Sequence, residues 1–298
     1  MTGSPALIAI DWGSSSFRAF LIAEDGQVLE ERRSNRGAFQ ITNYEEVLAE
    51  VCGDWCSKHS VLPVRMGGSI GSRNGWQETG YIECPVAPHD MQAAFVPVEN
   101  SLGWDIAVLP GVSVTAGLAE CDVMRGEEIQ IFGAMRLLSQ ENGWFCLPGT
   151  HSKWCRVEKG QIVGISSFLT GEMYALLMND GSLSSLITTK EYDEAAFRAG
   201  LQAMGQQPNL LKLLFRARAG VLLDQYRADQ LPSFLSGALI GYEIGHAVDV
   251  LNPAEGVTIV ANSELATRYQ LALQELVHPI SIVDGERAFL AGMQLLVT

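Results

Sequence analysis

Asp11-Trp12-Gly13-Ser14-Ser15-Ser16 places a carboxylate at the end of a short apolar run, Leu7–Ile10, and follows it with small and hydroxyl-bearing residues. A tight turn of this composition presents backbone N–H groups that cradle phosphate oxygens. Asp11 beside it can hold Mg²⁺, through water because that ion sheds its hydration shell reluctantly. An ordinary Asp/Ser turn is the plain alternative. A second turn, Pro148-Gly149-Thr150-His151-Ser152, tilts the balance toward function, since two such turns could grip a phosphate chain from both sides. The phosphate-contacting candidates are therefore Gly13, Ser14 and Ser15 in the first turn and Gly149, Thr150 and His151 in the second.

The standard nucleotide signals are absent. No glycine pair has the GxG spacing of a dinucleotide fingerprint, and no lysine follows a glycine as in a Walker A loop. Gly67-Gly68-Ser69-Ile70-Gly71 matches the GxSxG nucleophile elbow, but that elbow must open a helix, and the residues that follow include Gly71, Gly75, Gly80 and Pro85. A substrate-lining loop is the better reading of this segment.

The elements that must position these turns repeat. Leu7–Ile10, Phe17–Ile22 and Val28–Arg33 read as three strands joined by the Asp11–Ser16 turn and an Asp25-Gly26 hairpin. Trp144–Leu147, Ser152–Val157 and Ile162–Ser166 repeat the pattern, with Lys159-Gly160 as the hairpin. The match predicts duplicated halves. An amphipathic helix is expected over Tyr44–His59 and an apolar one over Ile129–Leu138. Strands are expected at Pro63–Met66, Ile106–Leu109, Val257–Val260 and Ile280–Val283. Helices are expected at Asp193–Met204, Asn209–Arg227, Pro232–Val250, from a Ser263 cap to Leu276, and at Glu286–Leu296. Gly237, Gly241 and Gly245 leave one face of the Pro232–Val250 helix bare, which predicts close packing of a neighbouring helix.

The 298 residues carry 34 acidic and 20 basic side chains, a net charge of −14, which argues against a nucleic-acid binder with a basic surface. The longest stretch free of charged residues and histidine, Ile106–Ala119, is too short to span a bilayer. Six cysteines form no CxxC pair, and Cys52, Cys56 and His59 read as a buried thiol face rather than a metal site. A cytoplasmic protein with no membrane or nucleic-acid partner is the expectation.

Ile8–Ala19 looks like the first phosphate motif of the actin-like ATPase clan, and Leu147–Trp154 like its second. Together with Gly67–Trp76 and Met124-Arg125-Gly126-Glu127-Glu128, they resemble the 2-dehydro-3-deoxygalactonokinase family over essentially the whole chain. The resemblance implies an α/β fold of two actin-like (RNase H-like) domains around an ATP cleft, divided at 1–120 and 121–298. It implies transfer of the ATP γ-phosphate to the terminal 6-hydroxyl of 2-dehydro-3-deoxy-D-galactonate, with ATP and Mg²⁺ as cofactors. A carboxylate at the start of a helix near the domain junction then serves as base. Glu127 is preferred there over Glu128, with Asp122 a distant third. An acidic first turn opposing the helix dipole needs no such function. The adenosine turn is expected at Ala261-Asn262, where the clan usually has a glycine. Ser69, Arg73 and Trp76 are assigned to the acid substrate, Arg73 because its planar fork matches a carboxylate. Arg125 and Lys153 are candidates for neutralising phosphate or carboxylate charge. Two other readings stay open: a same-fold kinase of another acid such as 2-keto-3-deoxygluconate, and a nucleotide-gated interaction protein. The oligomeric state is open, a homodimer among the options.

Overall fold

The computed structural model describes residues 3–59, 62–115, 117, 121–248 and 255–297. In chain order the elements are β1 (Pro5–Trp12), β2 (Phe17–Ala23), β3 (Val28–Ser34), α1 (Tyr44–Lys58), β4 (Val64–Gly67), β5 (Tyr81–Glu83), α2 (Pro88–Ala93), β6 (Val96–Pro97), β7 (Ile106–Val108), β8 (Gly111–Thr115), β9 (Cys121–Met124) and α3 (Glu127–Leu138). They continue with β10 (Gly143–Leu147), β11 (Ser152–Glu158), β12 (Gln161–Phe168), α4 (Thr170–Asn179), α5 (Gly181–Ser184), α6 (Glu194–Gln206), α7 (Leu210–Leu222) and α8 (Leu231–Val248). β13 (Val257–Ala261), α9 (Ser263–Leu273), β14 (Ile280–Asp284) and α10 (Gly285–Val297) complete the chain.

Two sheets repeat one design. The first has the order β3-β2-β1-β4-β7-β6 and the second β12-β11-β10-β13-β14. Leaving aside the edge strand β6, each runs third, second, first, fourth, fifth in its own strand order, so the duplication read from the hairpins extends to the topology. β1 and β10 are central strands, and their runs Leu7–Ile10 and Phe145–Leu147 are buried, as a sheet covered on both faces requires. A small third sheet, β5-β8-β9, had no clear signal in sequence because its strands are short and mostly exposed or half-buried.

The chain forms two compact units. The first comprises Met1–Asn142, Arg156–Ile165 and Asp284–Thr298, and the second Gly143–Cys155 and Ser166–Val283. The first unit thus runs past the expected division at 120/121, whose residue 120 lies outside the described residues. The reason is α3, whose apolar residues Ile129, Ile131 and Phe132 are buried and which packs on α10 within the first unit. That crossing is very close. A Cβ on Gly133 would lie 1.8 Å from the Ala288 carbonyl oxygen, and one on Gly292 would lie 2.0 Å from that of Ile129.

The second unit packs α6 on α8 in the same manner. A Cβ on Gly237 would meet the Phe197 carbonyl oxygen at 2.0 Å, which accounts for the bare helix face seen in sequence. Nothing stands within 4 Å of the corresponding position on Gly245, so the close contact ends before it. Residues 249 and 250 of the expected helix lie outside the described residues. α7 stops at Leu222 rather than Arg227, with Asp224 in a left-handed conformation (φ 53°). The cap of α9 is Asn262, not Ser263: its Oδ1 accepts the Leu265 N–H at 3.0 Å. α1 buries Val47, Leu48, Cys52 and Trp55, and burial pushes the Cys52 thiol up to about 12. No helix among the described residues is long and apolar enough to cross a membrane.

Candidate active site

Three of the four sequence motifs converge in the first unit. Asp11 lies on β1 opposite Arg18 of β2 and Gly67 of β4. Its carboxylate pairs with the Arg18 guanidinium, which also reaches Glu286 Oε2 at 3.4 Å. Burial raises the Asp11 carboxyl above its ordinary value, and the Arg18 charge and hydrogen bond oppose that rise. Gly68 follows β4 with φ 95°, and a Cβ there would stand 2.9 Å from the Trp12 carbonyl oxygen and 3.4 Å from Asp11 Oδ1. Gly126 precedes α3 with φ 104°, and its Cβ would stand 3.2 Å from the Gly68 Cα. Side chains are excluded at both positions, so the end of β1, the glycine loop and the start of α3 close into one place. Arg18, which the sequence left without a role, holds the Asp11 side of it.

The two adjacent glutamates differ sharply. Glu127 is half-buried, and its Oε2 accepts the Arg125 N–H at 3.0 Å. Glu128 is fully buried, and both its oxygens lie 2.8 Å from the Gly126 nitrogen. Its carboxyl fastens the Gly126 turn and is not turned out toward a ligand. Burial, reinforced by the neighbouring Glu127 charge, lifts its pKa to about 8, against backbone hydrogen bonds and Arg125. Unfolded, a glutamate titrates near 4.5. The protonated form is therefore the one the fold favours. The stability it contributes is full below pH 4.5 and is lost as pH rises through about 8. A tenfold change in proton affinity between the folded and unfolded chain is worth about 1.4 kcal/mol, so the loss is on the order of 5 kcal/mol. Glu128→Gln should flatten the decline of melting temperature between pH 5 and 9 that the parent shows. Parallel melting curves for the two proteins across that range would refute the assignment.

The phosphate turns are braced alike. In the first unit the carbonyls of Gly13 and Ser14 accept N–H groups of Ala38 and Phe39 at 2.8 and 3.2 Å, and a Cβ on Gly37 would stand 2.2 Å from the Ser14 oxygen. In the second unit Glu172 donates its N–H to the Thr150 carbonyl at 2.8 Å, and a Cβ on Gly171 would stand 2.2 Å from the Gly149 oxygen. After β3, and again after β12, the chain lays a glycine across the turn. Ser14, Ser15, Gly149, Thr150 and His151 are exposed. His151 Nε2 lies 2.6 Å from Glu172 Oε2. The bracing glycines were missed because neither belongs to a periodic pattern.

Asp11 supplies one carboxylate, and among the described residues no group of three or more His, Cys, Asp or Glu side chains gathers to hold a metal. That donor set fits a Mg²⁺ carried on phosphate and approached by Asp11 through water, since the ion keeps most of its shell in such sites. Asn262 Oδ1 is engaged in capping α9, and Ala261 packs in the apolar core beside Val257 and Ile259. The Ala261 methyl is therefore accommodated by the core.

The glycine loop is no nucleophile elbow, because Ser69 opens a single 3₁₀ turn, Ser69–Gly71, rather than a helix. Arg73 extends from it with 86% of its side chain exposed, and Glu78 lies 3.5 Å away. Trp76 stacks on Tyr44, with centroids 5.8 Å apart and planes inclined by 9°, and packs against the first core. Two cations have protein partners. Arg125 donates to Thr79 Oγ1 at 2.6 Å and to the Gly80 carbonyl at 2.8 Å and lies over the Tyr81 ring, so it secures the far end of the glycine loop. Lys153 is buried, with Nζ 2.6 Å from Ser167 Oγ on β12.

A family model described as 2-keto-3-deoxy-galactonokinase matches residues 11–296. The 2-dehydro-3-deoxygalactonokinase of Escherichia coli (strain K12) is 35% identical over 289 residues, covering 96% of each chain. A relative from Rhizobium meliloti (strain 1021), named "Probable 2-dehydro-3-deoxygalactonokinase DgoK1", is 36% identical over 300 residues, 98% of this chain and 97% of its own. A crystal structure from Sinorhizobium meliloti bearing the same enzyme name superimposes with a TM-score of 0.89 at 35% identity, covering 97% of each chain. Matched across nearly its whole length, with two sheets of one repeated topology, the chain belongs to the 2-keto-3-deoxy-galactonokinase family, kinases of galactonate catabolism.

Proposed function

We propose that the chain transfers the γ-phosphate of ATP to the terminal 6-hydroxyl of 2-dehydro-3-deoxy-D-galactonate. The observation that carries this reading is the meeting of Asp11, Gly68 and the Glu127 end of α3 in one place in the first unit. Each unit offers backbone N–H groups suited to phosphate oxygens, the first at Gly13–Ser15 and the second at Gly149–His151. Asp11 holds the metal's water shell. Mg²⁺, when bound, neutralises charge that develops on the phosphoryl oxygens. Glu127 accepts the proton of the attacking hydroxyl, a role that a positioned carboxylate performs within hydrogen-bond reach. Arg73 offers its guanidinium fork to the acid's carboxylate.

The test is a coupled assay of ADP release over a panel of 2-keto-3-deoxy and aldonic acids with Mg²⁺-ATP. Turnover should be fastest with 2-dehydro-3-deoxy-D-galactonate. A strong preference for another acid, 2-keto-3-deoxygluconate included, would reassign the acceptor, and ATP hydrolysis indifferent to every acid would overturn the kinase reading. Arg73→Ala should raise KM for the acid roughly ten- to hundredfold, the cost of a lost charged hydrogen-bond pair, while KM for ATP stays near its parent value. Equal changes in both constants would remove Arg73 from the acid site.

A further inference from the structure

Glu243 lies on α8 with no exposure to solvent, far in sequence from every motif above. Four donors converge on its carboxylate. Ser152 Oγ and Trp154 Nε1 reach Oε1 at 2.7 and 2.8 Å, the Tyr269 hydroxyl reaches Oε2 at 2.8 Å, and the Thr170 hydroxyl also donates to Oε2. A carboxylate has about four acceptor positions, so its capacity is met. The donors come from three places that matter to nucleotide binding. Ser152 ends the second phosphate turn. Thr170 immediately precedes Gly171, the residue laid across that turn. Tyr269 is two helical turns along α9 from Asn262.

A buried carboxylate is costly to desolvate, and a well-packed apolar side chain in its place is often no worse for stability. A negative charge beneath a phosphate site also repels the ligand. What the group supplies is geometry: one acceptor fixes a turn, its brace and a helix against one another, and hydrogen bonds to a charged acceptor are the stronger kind.

We propose that Glu243 is the positioning residue of the nucleotide-binding half, holding the Pro148–Ser152 turn, the Thr170–Glu172 brace and α9 in the single arrangement that receives ATP. This rests on the assignment of those turns to ATP made above. The test measures binding of a non-hydrolysable ATP analogue with Mg²⁺ by titration, and the KM values of ATP and acid separately, in Glu243→Gln, Thr170→Val and Thr170→Ser. Glu243→Gln is close in shape but presents an amide nitrogen to donors. Thr170→Val removes one donor at a half-buried position, and Thr170→Ser restores it.

Glu243→Gln and Thr170→Val should each weaken analogue binding and raise KM for ATP roughly tenfold or more, leave KM for the acid unchanged and melt cooperatively. Thr170→Ser should return both constants close to the parent values. Folded variants with parental analogue affinity, or with equal rises in both KM values, would show that the cluster serves only the core. If Glu243→Gln does not fold, the Thr170 pair decides. If the parent binds the analogue but phosphorylates no acid, the proposed function fails, and the role of Glu243 is still judged from analogue binding.

Discussion

Glu127→Gln is expected to lower kcat by roughly two to four powers of ten, the range typical of a positioned acid–base group. The replacement is nearly isosteric, so KM for ATP should hold and kcat/KM should fall with kcat, as when an interaction is made chiefly in the transition state. Stability should barely change. At the first residue of α3 the lost charge is a helix-dipole contribution of about 0.3–1 kcal/mol. Glu128→Gln is the internal control. With its pKa near 8 the Glu128 carboxyl is already mostly neutral at pH 7, so the amide changes little there. Single-turnover kinetics and ATP titration of both variants check this. A dead Glu128→Gln beside a near-normal Glu127→Gln would exchange the roles, and full activity in both would place the base elsewhere.

Asp11→Asn should cost at least about a hundredfold in kcat, because a metal held in register stabilises the transferring phosphoryl group by several kcal/mol. The fold should survive. Burial already disfavours the Asp11 charge, and Arg18 keeps Glu286 as a partner. The melting temperature is therefore expected within a few degrees of the parent, with activity shifted to higher Mg²⁺. A Mg²⁺ titration of initial rates at saturating ATP separates the cases. Parental kcat with an unmoved Mg²⁺ midpoint would leave Asp11 with only its ion pair to Arg18.

The hairpins β1–β3 and β10–β12 were legible because apolar runs ending in small-residue turns are local signals, and each turn contains its own candidate residues. The convergence of Asp11, Gly68 and Glu127 was legible only as separate motifs, since contacts at Gly68 and Gly126 join segments distant in sequence. The difference between Glu127 and Glu128 was not legible at all: both are acidic residues of one helical turn, and only packing decides which is enclosed. Gly37 and Gly171 read as unremarked loop glycines until the turns they cross were placed. The place of Glu243 was not legible, because the four donors that define it come from three other elements. The protein partners of Arg125 and Lys153 were equally out of sight, because Thr79, Gly80 and Ser167 lie on other segments of the chain.

The assignment of Asp284–Thr298 to the first unit has a consequence for biosynthesis. Phe289 of α10 packs on Phe20 of β2, and the glycine crossing of α3 is filled by the same helix. At translation rates of about 5–20 residues per second, the stretch between Asn142 and Asp284 takes roughly ten to thirty seconds to emerge. During that interval the α10-facing surfaces of β2 and α3 have no partner from their own unit, while every residue of the second unit has been made by Val283. Nascent chains should therefore expose Phe20 and the Ile129–Gly133 face to chaperones or to other polypeptides, and the half that is synthesised first is the last to close.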